Sequence, residues 1–353
     1  MKKIYTLAAL AAMTMLGTSC NSEWEDEQYE HYISFSSQLD SKGVTNIYVP
    51  YSRHDAEGNY AEGGEGRSNY QLPILVSGST DNLSNVTVHV AHDADTLNIL
   101  NYARYATRTE LYYEDMGAEG LAYASYPESL LIKAGENKGL LDLKFDFRNI
   151  DMSEKWVLPL QIVDDASYNY VAHPRKDYAK AILRIFPFND YSGDYSGTGI
   201  TNKVVTGYDG DGKPIETAES ITKSSIRGYV IDEQTIFTYA GIVDEDYTDR
   251  RKYKIKFTFN GETNGSVTIS CDNAEEIGFE LNKDATPSFR ISSSMDDAKP
   301  YLEHRYVIIN NVDYYFNYIP VEGTIIRYHV KGTLTLSRDI NTQIPDEDQA
   351  IEW

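Results

Sequence analysis

The sequence predicts an all-β protein of two domains. The first is an immunoglobulin-like β-sandwich over residues 30–187, and the second an antiparallel lipocalin-like β-barrel or flattened barrel over residues 188–353. Three observations carry that expectation. Apolar and polar side chains alternate at period two along most of the chain, the mark of half-buried strands. Clusters rich in Gly, Asp and Asn, such as "AEGNYAEGGEGR" and "YDGDGKP", separate the alternating runs and have the chemistry of turns. At "IFPFNDYSGDYSGTG", Ile185 to Gly199, an apolar strand gives way to a Gly/Ser/Asp/Tyr stretch that opens a second series of strands.

In chain order, Lys2 and Lys3 precede an apolar run from Ile4 to Leu16, then Gly17, Thr18, Ser19 and Cys20. A basic start, a short apolar stretch and small residues describe a secretory signal peptide over residues 1–19. The apolar run is too short to cross a bilayer of about 30 Å as a helix. Residues 20–29 form an acidic tether carrying Glu23, Glu25, Asp26 and Glu27, with Trp24 among them. "NVTVHVA" sets Val86, Val88 and Val90 on one face, and "LLDLKFDF" points Leu141, Leu143, Phe145 and Phe147 inward. "WVLPLQIVD" aligns Trp156, Leu158, Leu160 and Ile162 as core. The one helix expected lies near Asp95–Tyr105, with Leu97, Leu100 and Tyr105 on one face. In the second half, "RKYKIKFTF" sets Tyr253, Ile255, Phe257 and Phe259 against lysines. The tail "NTQIPDEDQAIEW" is polar until Ile351 and Trp353.

Composition excludes several functions. A formal net charge of −22 repels phosphate backbones, so no nucleic-acid partner is expected. Only Cys20 and Cys271 are present; Cys271 ends the alternating "SVTISC" on the side of Val267 and Ile269 and is expected as a small core residue. His89 and His92 have no further Cys or His nearby, and "YDGDGKPIE" lacks the third oxygen ligand and the correctly spaced distal Glu of a calcium loop, so no metal or cofactor is expected. No phosphate loop or nucleophile elbow is present. Acid pairs such as Asp232–Glu233 and the run Asp244–Glu245–Asp246 arise readily among 54 acids, which gives a glycosidase little support and makes a non-enzyme the expectation.

The 29 tyrosines against 11 Phe and 3 Trp suit half-buried strands and also surfaces that meet polar ligands. Sugar rings need aromatic platforms beside carboxylates and amides. "NNVDYYFNYIP" is the densest such cluster: Tyr314, Phe316 and Tyr318 face one way, and Asp313, Tyr315 and Asn317 the other. The second set is the candidate glycan-binding site. Tyr102, Tyr105, Tyr112 and Tyr113 lie near the helix, where packing is their expected use and a rim at one end of the sandwich the alternative; Tyr191 and Tyr195 are expected to stitch the domains together.

Small residues before Cys20 resemble a lipobox, with Gly17 where Leu is usual and Leu16 one place further back. On that resemblance Cys20 is lipidated, and Glu23, Glu25, Asp26 and Glu27 resemble the acidic signal that sends Bacteroidetes lipoproteins to the cell exterior. "LPILVSG", "SLLIKAGENKGLLDLKFDF" and "KWVLPLQIVDDASYN" resemble an N-terminal β-sandwich module of Bacteroidetes lipoproteins, also found ahead of the catalytic barrel of some endo-β-N-acetylglucosaminidases. "FNDYSGDYSG", "DEDYTDRRKYKIKF", "PYLEHRYVI" and "IIRYHVKGTLTLSRDINTQIPDEDQAIEW" resemble an unassigned module that accompanies it. The resemblance implies a polysaccharide-utilisation system. It also implies an outer-membrane, lipid-anchored, outward-facing protein beside a glycan importer and its lid lipoprotein, which captures oligosaccharides rather than cleaving them. A structural or adhesive fimbrial-type lipoprotein is the alternative.

Overall fold

A computed structural model of the chain describes residues 30–37, 43–55, 58–61, 63–175 and 178–344. Cys20, Glu23, Trp24, Glu25, Asp26 and Glu27 lie outside the described residues, as do Ile351 and Trp353. The protein is all-β in two modules, as the alternation requires.

The first module holds two sheets. One runs Val171–Ala172, Tyr32–Phe35, Arg67–Val76, Lys138–Asp146, Ala124–Ser125. The other runs Thr45–Pro50, Lys180–Phe188, Lys155–Ile162, Val86–His92, Ser129–Ile132, with Tyr113–Asp115 also beside Lys155–Ile162. Leu72, Ile74, Leu141 and Leu143 from the first share one core with Val88, Leu158, Leu160 and Leu183 from the second. Thr45–Pro50 pairs parallel to Lys180–Phe188, so the sandwich is not purely antiparallel.

The helix, Ala94–Tyr105, starts at Asp93, whose carboxylate caps the Thr96 backbone N–H at 3.1 Å and takes the Lys180 ammonium at 2.6 Å. Its Leu97 packs with Val44, Tyr113, Val157 and Ile182 on the second face of the sheet. That cover explains a departure from expectation: Val157 is buried beside Leu158, so this strand has two apolar faces. Trp156, expected in the core, is only half-buried; its indole N–H donates to the Asp151 carbonyl, and its ring meets Tyr123 edge-on.

In the second module eight strands close into a barrel. They are Gly193–Ser196, Ser225–Asp232, Thr235–Tyr239, Lys254–Asn260, Asn264–Ser270, Ser288–Met295, Leu302–Tyr318 and Ile326–Asn341, the last returning to the first. Tyr253, Ile255, Phe257 and Phe259 all point into its core. Tyr191 and Tyr195 do not stitch the modules together: Tyr191 stacks on Phe259 at 3.9 Å and Tyr195 is fully buried inside the barrel, where its hydroxyl donates to the Tyr191 carbonyl. The last two strands outrun the barrel, and Ile200–Tyr208 and Glu280–Leu281 flank their far ends. The register shifts between Ile309 and Val312, a bulge that bends the hairpin where it leaves the closed wall. Gly332 sits opposite at φ 147, where a Cβ would fall 1.9 Å from the Gly199 carbonyl oxygen; only glycine permits that approach.

Charged side chains weld the modules. Arg250 of the barrel is 1% exposed; its Nε donates to the Ser153 carbonyl at 2.7 Å, Nη1 to the Glu110 carbonyl at 2.8 Å, and Nη2 to Glu154 at 3.2 Å. Arg184 donates to Glu245 at 2.6 Å, Lys155 to Asp246 at 2.7 Å and Lys254 to Asp151 at 2.8 Å. Each crosses from one module to the other. Truncating Arg250 removes three charge-assisted hydrogen bonds across the seam and leaves Glu154 with Arg251 alone, a loss of about 3 kcal/mol or more. Urea unfolding of Arg250→Ala is therefore expected to show a lower midpoint, with the two modules melting separately. A loss below about 1 kcal/mol, the range of a surface pair, would contradict the weld.

Candidate functional site

The weld leaves a groove beside it. After Tyr239 the chain does not turn directly into Lys254–Asn260. The segment between them is held at Ala240 by Tyr253 and at Gly241 by the Tyr314 hydroxyl, 3.3 Å away. The Arg184–Glu245 and Lys155–Asp246 pairs fix its middle. The opposite wall comes from the first module. The helix ends at Ala106, and Arg108 leads into a turn at Thr109–Leu111, anchored by buried Leu111 and by Arg250 on the Glu110 carbonyl.

Two concavities meet along this seam at Thr248 and Asp249. One, of about 560 Å³, is lined by Thr109, Glu110, Arg251, Lys252 and Glu276 as well. The other, of about 260 Å³, adds Arg108, Asp246, Tyr247, Tyr253, Tyr318 and Pro320. Volumes of this size class suit small ligands. Tyr247 and Tyr318 meet edge-on at 5.8 Å and are half-buried, while Tyr253 lies beneath, its hydroxyl accepting the Ile319 N–H at 2.9 Å. Burial, the Tyr318 hydroxyl and nearby Asp244 push the Tyr247 phenol up to about 12, so it stays a neutral donor. Burial would lower the Lys252 ammonium, but Asp249 and Glu276 outweigh it and keep the charged form favoured. The groove therefore offers aromatic edges beside charged hydrogen-bonding groups.

Four carboxylates share the concave surface: Glu110, Asp246, Asp249 and Glu276. A glycosidase acid is a desolvated carboxyl held protonated. These are partly to largely exposed and face cations: Glu110 faces Arg108 at 3.5 Å, Asp246 faces Lys155 at 2.7 Å, and Asp249 and Glu276 face Lys252 at 3.0 and 3.8 Å. Among the described residues no group of three or more His, Cys, Asp or Glu side chains could hold a metal ion.

The expected cluster lies elsewhere, on the outer face of the extended hairpin. Tyr314 and Phe316 are buried, and Asp313, Tyr315 and Asn317 share the opposite face. The Asp313 carboxylate and the Asn317 amide are engaged there, and the Tyr315 ring is stacked. Asp313 is 6% exposed and bonds His329 Nε2 at 2.6 Å and Lys331 at 3.1 Å; His329 Nδ1 in turn meets Glu216 at 2.5 Å. The Tyr315 ring stacks on His329 at 4.1 Å with the Arg327 guanidinium 5.3 Å from its centroid, and Arg327 donates to the Asn317 amide oxygen at 3.1 Å. Of the first-module tyrosines, Tyr113 is buried, Tyr105 and Tyr112 are half-buried, and Tyr102 is 69% exposed on the helix.

Comparison with known proteins places this architecture. Residues 24–166 match a domain of unknown function, DUF4973, and residues 179–335 match a C-terminal domain family. An auxiliary nutrient binding protein from Bacteroides thetaiotaomicron is 98% identical, with 92% of this chain and 100% of that one aligned at a TM-score of 0.86. The chain belongs to this family of two-module Bacteroides proteins. A Bacteroides ovatus protein of unknown function is 42% identical over 91% of this chain and 100% of its own, at a TM-score of 0.75. A multidomain protein including DUF1735, also from Bacteroides ovatus, is 41% identical over 91% and 100%, at 0.74. No curated protein matches the chain.

The groove residues escaped the sequence reading for identifiable reasons. Tyr253 sits in the alternating run and Tyr318 on the core side of its strand, so both read as packing; Asp246 falls in an acid run of a kind that arises readily among 54 acids, and nothing local marks Asp249. The available signal was "DEDYTDRRKY", a charged stretch too long for a hairpin turn, between two clear strands.

The Asp313 cluster has a definite pH signature. Burial would raise this carboxyl, but hydrogen bonds from His329 and Lys331 outweigh it and hold it below its ordinary 3.8. A depressed folded value adds stability that is present above the unfolded value and lost as pH falls through the folded one. The unfolding free energy of Asp313→Asn is expected to be lower at neutral pH by about 2 kcal/mol, with a shallower decline below the ordinary carboxylate range. An unchanged acid limb would show that Asp313 is not the group responsible.

Proposed function

We propose that this protein is a cell-surface glycan-binding lipoprotein that captures oligosaccharides for an outer-membrane uptake system, without cleaving them. The observation that carries this reading is the seam groove, where Tyr247 and Tyr318 stand beside hydrogen-bonding charges from both modules. The similarity to a protein described as an auxiliary nutrient binding protein supports it. So does the leader: a lipidated Cys20 followed by Glu23, Glu25, Asp26 and Glu27 would tether the body at the outer face of the outer membrane. There a glycan importer and its lid lipoprotein are the natural partners. A tethered site raises the local concentration of oligosaccharide, so weak affinity suffices. Exposed, cation-paired carboxylates in the groove favour holding a sugar over protonating its glycosidic oxygen.

The test is binding of soluble residues 22–353 to a broad glycan panel, with the same mixtures assayed for new reducing ends. Binding without product is expected, and Tyr247→Ala should weaken it about tenfold or more, the loss of one aromatic anchor. Tyr315→Ala is expected to leave binding unchanged. New reducing ends would make the protein an enzyme, and silence across the panel would favour an adhesive or structural lipoprotein.

A further inference from the structure

The charges lining the seam groove say which glycans it admits. Three cations line the two concavities, Arg108, Arg251 and Lys252, against the four carboxylates Glu110, Asp246, Asp249 and Glu276. None of the three cations stands alone. Arg108 faces Glu110 at 3.5 Å, Arg251 is bonded by Glu154, and Lys252 lies between Asp249 at 3.0 Å and Glu276 at 3.8 Å. Arg251 is held above its ordinary range chiefly by Glu154, which marks that pair as tight. Beneath the wall Arg250 is committed to Ser153, Glu110 and Glu154. Asp246 is likewise paired, with Lys155 at 2.7 Å, so the groove's charges are matched acid to base, and the formal charge of −22 on the whole chain adds no positive field.

An anionic sugar entering here would either displace a carboxylate from its cation or sit against four acids with no spare positive charge. Both cost free energy. Sugar hydroxyls suit the same groups: each donates to a carboxylate and accepts from a guanidinium or ammonium already held in place, so the ion pairs need not break. We infer that the groove selects neutral oligosaccharides and rejects acidic ones, those bearing uronate, sialate or sulfate. This inference rests on the groove being the glycan site.

The experiment titrates soluble residues 22–353 with neutral gluco-, manno- and galacto-oligosaccharides, and in parallel with oligogalacturonate, sialyllactose and a sulfated galactan fragment. The tightest neutral ligand is expected to bind at least about tenfold more strongly than any acidic one, with little change on adding salt. The double variant Asp249→Asn, Glu276→Gln frees Lys252 and is expected to narrow that ratio by strengthening acidic binding, an effect that a merely misfolded protein would not produce. Acidic ligands binding as well as neutral ones, or affinity falling steeply with salt, would overturn the inference while leaving glycan capture intact. No binding by either set would overturn the groove as a glycan site, and this selectivity with it.

Discussion

A buried guanidinium is the constraint on which the rest of this molecule depends. Arg250 lies in the barrel, but its three hydrogen-bond acceptors lie in the sandwich. Taking a guanidinium out of water is costly unless its donors are met, and here they are met only when the two modules are docked. The weld is thus conditional: Met152 and Phe186 of the sandwich join the barrel core and Val230 of the barrel joins the sandwich core, and the charged groups around them are satisfied only in the pair. Arg184, Lys155 and Lys254 repeat that logic along the same seam.

The groove is a by-product of that docking. Arg250 holds the Glu110 carbonyl from below and so fixes the first-module wall, while Glu245 and Asp246 pin the second-module wall to Arg184 and Lys155. A binding surface assembled this way is preorganised, since its polar groups are oriented by structural contacts before any ligand arrives. It also inherits the electroneutrality of its ion pairs, which favours hydroxyl-bearing over charged ligands.

Most of the fold was legible in the sequence, because period-two alternation reports which face is buried. Val86, Val88 and Val90, and Tyr253, Ile255, Phe257 and Phe259, lie where alternation puts them. It failed where a second layer intervened: the helix covers the outer face of Lys155–Ile162, so Val157 is buried too, while Trp156 is half-buried where the cores of the two modules meet. Tyr191 and Tyr195 sit in a loop-like sequence yet fill the barrel, because the Asn189 side-chain oxygen takes the N–H groups of Tyr191 and Ser192 and turns the chain inward. The candidate site was far less legible. Nothing local distinguishes Arg250, wholly buried, from its neighbour Arg251, whose side chain is 64% exposed. Their difference is set by Ser153 and Glu110, 97 and 140 residues away in sequence.

Hydrogen–deuterium exchange of the chain with and without a bound neutral oligosaccharide tests the central claim most directly. The account predicts that ligand slows exchange on both walls together, over residues 106–111 of the sandwich and 244–253 of the barrel, with residues 318–320 alongside. Protection confined to one module, or to the outer face around Tyr315 and His329, would contradict a site built by the docking of the two.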